Sequence, residues 1–126
     1  MNTDKALIES NLTEHVIGVF YSVYNELGCG FLESVNENAM ALALRVAGCD
    51  AAQQVSLSVK FRGQAVGTFR ADIVVEKRVV LEIKAVERLA LVHEAQLINY
   101  LKTSEIQVGL LLNFGPHAEF KRRIFK

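Results

Sequence analysis

The feature that most constrains this chain is the run Arg70-Ala71-Asp72-Ile73-Val74-Val75-Glu76-Lys77-Arg78-Val79-Val80-Leu81-Glu82-Ile83-Lys84. It reads as two apolar strands joined by a charged turn. An acid on the first strand comes back into register with an acid and a lysine on the second. Glu82 and Lys84 are two apart and share a face, while Leu81, Ile83 and Ala85 point the other way. The turn decides whether Asp72 joins them. A two-residue turn at Glu76-Lys77 sets Asp72 opposite Leu81, whereas a three-residue turn, Glu76 to Arg78, sets Asp72 opposite Glu82 and Arg70 opposite Lys84. The longer turn is expected, because the shorter one puts Asp72 on the face opposite Glu82.

Directly opposed residues have Cβ atoms about 5 Å apart, and two carboxylates at that separation repel by roughly 3–4 kcal/mol at an effective dielectric near 20. Either one carboxyl takes a proton or a cation sits between them. Oxygen-only ligands select hard ions, so magnesium or manganese is expected rather than zinc. Such an ion lowers the pKa of a bound water and neutralises charge developing on a phosphate. Lys84 would orient that water or stabilise the phosphoryl oxygens. The competing reading is a salt bridge between Arg70 or Lys84 and the acids at a solvated sheet edge, which contributes little. The apolar neighbours Val79, Val80, Leu81 and Ile83 favour a buried strand instead.

The rest of the chain supplies layers for that sheet. Leu12, Val16, Val19, Phe20, Val23 and Leu27 recur at helical spacing, with Asn11 and Glu14 spaced as a capping box and Gly28 as the stop. A second helix is expected from about Leu32 to Ala47, with Val35, Ala39, Leu42, Ala43 and Val46 inward. The period then falls to two: Val55, Leu57, Val59 and Phe61 alternate with Gln54, Ser56, Ser58 and Lys60. Arg62-Gly63-Gln64 turns the chain into a strand from Ala65 to Val75, and another strand runs from Val79 to Ala85. A helix from about Leu89 to Lys102 precedes the apolar run Val108 to Leu112, which suits a strand buried on both faces and reached by a right-handed crossover. Gly115-Pro116 breaks it, and Glu119 to Phe125 is expected as a short edge strand. The order is α-α-β-β-β-α-β-β, an α/β (α+β) mixed sheet with helices packed on it.

At 126 residues, residues 1–126 are expected to form a single domain. No apolar run approaches the roughly 18 residues of a membrane span, and Met1 to Lys5 does not resemble a secretion signal. A cytoplasmic protein is expected, with Cys29 and Cys49 as reduced thiols. Fourteen basic and fourteen acidic residues leave zero formal net charge. Binding to nucleic acid is largely phosphate neutralisation, so it would need basic residues gathered on one face. The candidates are Lys60, Arg62 and Arg70 along the hairpin, and the tail Lys121-Arg122-Arg123-Ile124-Phe125-Lys126.

Helices carry the remaining candidates. Glu33 lies in the first turn of the second helix, where the helix dipole alone would favour a carboxylate. On the third helix His93, Gln96 and Tyr100 fall at i, i+3 and i+7, one polar stripe beside Ala95, Leu97, Ile98 and Leu101. An amide and a phenol on that stripe could contact a phosphate or hold a water, and an amphipathic helix with a tyrosine at its rim explains the same pattern.

Taken together, Asp72, Glu82-Ile83-Lys84, Gln96 and Tyr100, after a helical Glu33, resemble the PD-(D/E)XK nuclease superfamily. Leu12-Thr13-Glu14, Gly30-Phe31-Leu32-Glu33-Ser34-Val35, His93 to Leu101 and Gly109 to Gly115 are similar to the small GxxExxY proteins within it. The resemblance implies a restriction-endonuclease-like core with Asp72, Glu82 and the Ile83 carbonyl on magnesium. It also implies Lys84 as catalytic lysine, Glu33 as helical acid and Gln96 with Tyr100 as an accessory motif. Arg70 and His93 are the substrate-binding candidates. The motif's final tyrosine is Asn36 here, and Ala71 stands where the superfamily's name has proline. Two functions of different class follow. The first is a Mg2+- or Mn2+-dependent phosphodiesterase acting on DNA or RNA as a homodimer. The second is a non-catalytic module that keeps the fold and binds nucleic acid or protein.

Overall fold

Gly28 ends the first helix as its sequence suggests: at φ 74° it turns the chain while its N–H still bonds the Tyr24 carbonyl. The start differs. In the computed structural model, which describes residues 8–126, α1 spans Ser10–Leu27. Asn11 therefore lies inside the helix and cannot cap it; no side chain caps this end, and Thr13 instead donates its hydroxyl to the Ser10 carbonyl at 3.1 Å. The segment Met1 to Lys5, read above for a secretion signal, lies outside the described residues. No described helix is long and apolar enough to cross a membrane.

The elements follow in the expected order: α2 (Glu33–Val46), β1 (Ala51–Phe61), β2 (Gln64–Val75), β3 (Val79–Lys84), α3 (Leu91–Thr103), β4 (Val108–Phe114) and β5 (Ala118–Ile124). The strands form one mixed sheet in order β1-β2-β3-β4-β5, with β3 and β4 parallel and the other pairs antiparallel. All seven residues of β4 are buried, as its unbroken apolar run demands. Helices cover both faces. Phe20 and Val16 of α1 and Met40 and Leu44 of α2 pack on Ile73, Leu81, Ile83, Leu110 and Leu112, with Phe20 meeting Phe114 edge-on at 5.1 Å between ring centres. On the other side Leu97, Tyr100 and Leu101 of α3 cover Ala71, Val74, Val80 and Leu111.

The inward face of α2 is not the one its apolar residues suggested. Asn36, Glu37, Met40, Ala41 and Leu44 are buried, whereas Val35, Leu42 and Val46 are exposed, the last two by 62% and 81%. The helix is apolar around most of its circumference, so periodicity could not choose between faces. Ala39 and Ala43 sit between them, only partly buried. The polar partners of Glu37 on β1 settle the rotation.

Candidate active site

The turn after β2 has three residues, because Val75 pairs with Val79, Val74 with Val80 and Ile73 with Leu81. Glu76 and Lys77 take left-handed backbone conformations at φ 53° and 56°, and the Glu76 carboxylate accepts the Asp50 N–H at 2.5 Å. This is the register that carries Asp72 towards Glu82. The ladder then stops. Rather than a backbone carbonyl, the Asp72 carboxylate accepts the Ile83 N–H at 2.7 Å. β2 has left β3 by Arg70, so Arg70 and Lys84 do not form a strand pair but line one pocket.

The departure of β2 has a visible origin. Gln54 on β1, facing Asp72, adopts φ 53°, and this position is missing from the β1–β2 ladder although Gln53–Ile73 and Val55–Ala71 flank it. Odd-numbered residues change sides here: Ala51, Ile73 and Val75 belong to the α1/α2 core, Val55, Ala71 and Phe69 to the α3 cluster. The Gln54 amide donates to Glu37 at 2.7 Å and reaches Asp72 at 3.4 Å, while Gln53 donates to the other Glu37 oxygen at 2.9 Å. Glu37 is thus a buried third acid tied by amides to the first. Sequence reading passed over both residues; Glu37 lies one helical turn beyond Glu33, and that spacing was the available signal.

A pocket of about 300 Å³ is lined by Glu33, Phe69, Arg70, Asp72, Glu82, Lys84, Gln96 and Tyr100. A roomier groove, about 650 Å³, lies between α1 and α2, but it is apolar, with Leu42, Ala43 and Val46 on one wall and Val19, Val23 and Leu27 on the other. Chemistry singles out the smaller one. Burial, then the neighbouring Asp72 charge, pushes the Glu82 carboxyl up to about 8; a carboxyl–carboxyl hydrogen bond with Asp72 and the more distant Glu37 add to this, and Lys84 opposes it. A shift of that size beside a lysine in a cleft marks a functional-site candidate on physical grounds.

The remaining predicted residues divide between pocket and scaffold. Glu33 begins α2, lines the pocket and accepts the Ala85 N–H at 3.1 Å, fixing it beside the end of β3. Gln96 lines the pocket from an exposed position. Tyr100 also lines it, yet its hydroxyl donates to the Val55 carbonyl at 3.2 Å and holds β1 against α3; burial and the Glu82 charge raise its pKa. His93 is not in the pocket: its Nδ1 accepts the Ala90 N–H at 2.9 Å and closes the N-terminus of α3. Asn113, fully buried on β4, brackets Val86 with two bonds of 2.9 Å and so anchors the segment that leaves Lys84. Asn36 is buried with neither side-chain polar atom hydrogen-bonded among the described residues.

Among the described residues, no group of three or more His, Cys, Asp or Glu side chains stands where it could share a metal ion. The donor set is smaller: two crowded carboxyls, one of them held protonated to unusually high pH, next to the main chain of Ile83. That chemistry fits a hard cation, whose charge would oppose the burial and the Asp72 repulsion that now keep a proton on Glu82.

The sequence profile of the PD-(D/E)XK nuclease superfamily matches residues 10–124, nearly all of the chain. The chain belongs to that superfamily. Its mixed sheet with helices on both faces is the restriction-endonuclease-like architecture expected of a member. Among solved structures it is similar to one titled "Crystal structure of SSO0001", with a TM-score of 0.61 and 20% sequence identity. The alignment covers 95% of this chain and 60% of that one, so the likeness is one of fold, within a longer protein. No curated protein is significantly similar to the chain.

Proposed function

We propose that this PD-(D/E)XK protein is a metal-dependent phosphodiesterase that hydrolyses nucleic acid in the pocket between β3, α2 and α3. What carries the reading is the Glu82 carboxyl, raised to about 8 by burial and by Asp72, with Lys84 in the same pocket. Asp72, Glu82 and the Ile83 carbonyl would hold a Mg2+ or Mn2+ ion. When bound, that ion would acidify a water and neutralise charge on the phosphate under attack. The side chains do the rest. Lys84, which lines the same pocket, would orient the water or stabilise the phosphoryl oxygens. Arg70 offers a guanidinium to an adjacent phosphate. Glu33, fixed by the Ala85 N–H, presents a further carboxylate to the pocket, and Gln96 an amide. The GxxExxY assignment and a homodimer meeting through the apolar α1/α2 groove belong to the same reading.

Cleavage of single- and double-stranded substrates during Mg2+ or Mn2+ titration tests it, with calorimetry of the metal alone beside it. Hydrolysis is expected to vanish in Lys84→Ala, and metal binding in Asp72→Ala/Glu82→Ala. Metal binding that survives the double substitution would place the ion elsewhere. The second reading, a non-catalytic binding module, draws on one observation: both Asp72 oxygens already have donors, Ile83 N–H and the Gln54 amide. Wild-type protein that binds nucleic acid but never cleaves it, and binds unchanged as Lys84→Ala, would favour that module.

A further inference from the structure

Beyond Ile73 the β1–β2 ribbon leaves the sheet. β2 starts at Gln64 but pairs with β3 only at Ile73, Val74 and Val75, so from Val55 and Ala71 outward the two strands have only each other as ladder partners. A two-residue turn at Arg62-Gly63, both with positive φ, closes the tip where Phe61 pairs with Gln64. The arm is charged in one sense. Between Ala51 and Ala71 there is no aspartate or glutamate, while Lys60, Arg62 and Arg70 all fall there; the rest of the chain holds all fourteen acids against eleven of the fourteen bases.

The two sides of the arm are unlike. Val55, Leu57 and Phe69 pack against the α3 cluster. Ser56, Ser58 and Lys60, with Thr68 and Arg70 across the ladder, are exposed. Among the described residues none of the three cations is paired with a carboxylate. Arg62 instead lies over the Phe61 ring, 5.0 Å from its centre, at the tip. The other basic cluster in the sequence is committed to the fold. Arg122 donates to the Ile8 carbonyl and the Thr13 hydroxyl, Arg123 to Glu94, and Lys121 stands 3.7 Å from the same carboxylate.

We infer that the exposed face of this arm is the docking surface for double-stranded DNA. The inference rests on the reading of the adjoining pocket as a phosphodiester site, because Arg70 belongs to both: it lines the pocket and stands on the arm's hydroxyl-and-cation face. Serine, threonine, lysine and arginine are the donors that hold phosphates in register. From Ser56 to Phe61 the strand rises about 17 Å, close to five base steps of one DNA strand. A two-stranded ribbon fits the major groove of B-form DNA, about 12 Å wide, whereas the deep and narrow major groove of A-form RNA does not admit it. Single strands are held by stacking bases on aromatic rings. The exposed face carries hydroxyls instead: Phe69 is turned to Tyr100, 6.4 Å between ring centres, and Phe61, exposed at the tip, has the Arg62 guanidinium over its ring.

Fluorescence anisotropy of the full chain in EDTA tests this without turnover, using labelled DNA of about two helical turns, its separated single strand and an RNA duplex of equal length. Wild type is expected to bind the DNA duplex most tightly. Lys60→Ala/Arg62→Ala should lose about tenfold or more at low salt. It should also flatten the plot of log affinity against log salt by about 1.8, since each phosphate contact contributes about 0.9. Lys60→Arg/Arg62→Lys, which keeps both charges, should restore most of the binding, and all variants should melt as wild type. Unchanged affinity and slope in the alanine variant overturn the inference, as does single-stranded DNA or duplex RNA bound as tightly as duplex DNA. The pocket is judged separately. A protein that binds duplex through Lys60 and Arg62 but never cleaves keeps the arm and loses the nuclease, while metal-dependent cleavage indifferent to the alanine variant does the reverse.

Discussion

At the scale of single residues, Glu82 concentrates the physics of the site. Its carboxyl has a folded-state pKa of about 8 against 4.5 for an ordinary glutamate. Between those values the folded protein keeps a proton that the unfolded chain has released, so stability falls as pH rises through this window. Below pH 4.5 both states are protonated and the penalty is absent. Glu82→Gln keeps the shape and removes the titration. Its thermal midpoint is expected to match wild type near pH 5 and to exceed it near pH 8.5; parallel pH profiles for the two proteins would show that Glu82 titrates as an ordinary acid. Metal binding should displace the same proton, so Mn2+ affinity measured by calorimetry should climb between pH 6 and 8 and release protons to the buffer. Spacing alone points to this residue: Asp72, Glu82 and Lys84 can be brought together by counting along a three-residue turn. Gln54 and Glu37 were invisible to the same count. Their involvement depends on a left-handed residue inside a strand and on the rotation of α2, neither of which a period records.

Element by element, the strands were more legible than the helix faces. Alternation and an unbroken apolar run locate β1 and β4, because a strand's period is two and its burial is read directly. α2 has more apolar residues than one face needs, and the surplus pointed to the wrong side. The structure makes the choice measurable. Leu44→Ala, in the core, should cost about 2–5 kcal/mol in denaturant unfolding, and Val35→Ala, exposed and outside the α1/α2 groove, less than about 1 kcal/mol. Equal losses would mean that both faces are covered. Gly115 is a second element-level constraint. A Cβ there would lie 1.9 Å from the Val86 carbonyl oxygen, so Gly115→Ala must move the segment that Asn113 anchors. A lowered melting temperature is expected, together with weaker metal binding at the nearby end of β3. A variant as stable as wild type would show that this segment yields easily.

For the whole molecule, the proposed homodimer is tested at the α1/α2 groove. Leu42 and Val46 there leave an apolar surface of a kind that soluble monomers rarely keep bare. Light scattering is expected to give a dimer for wild type and a monomer for Leu42→Lys/Val46→Lys; a monomeric wild type removes the homodimer from the reading. β3 gains its first neighbour from the adjacent hairpin, but its second, β4, pairs Val79 with Val108, a partner synthesised after the intervening helix. Glu82 registers with Leu111 of that strand, and its side chain lies in the pocket lined from α2, β2 and α3. Its titration therefore reports assembly: a refolding chain sampled at pH 6 should take up about one proton at this carboxyl as the pocket around it closes.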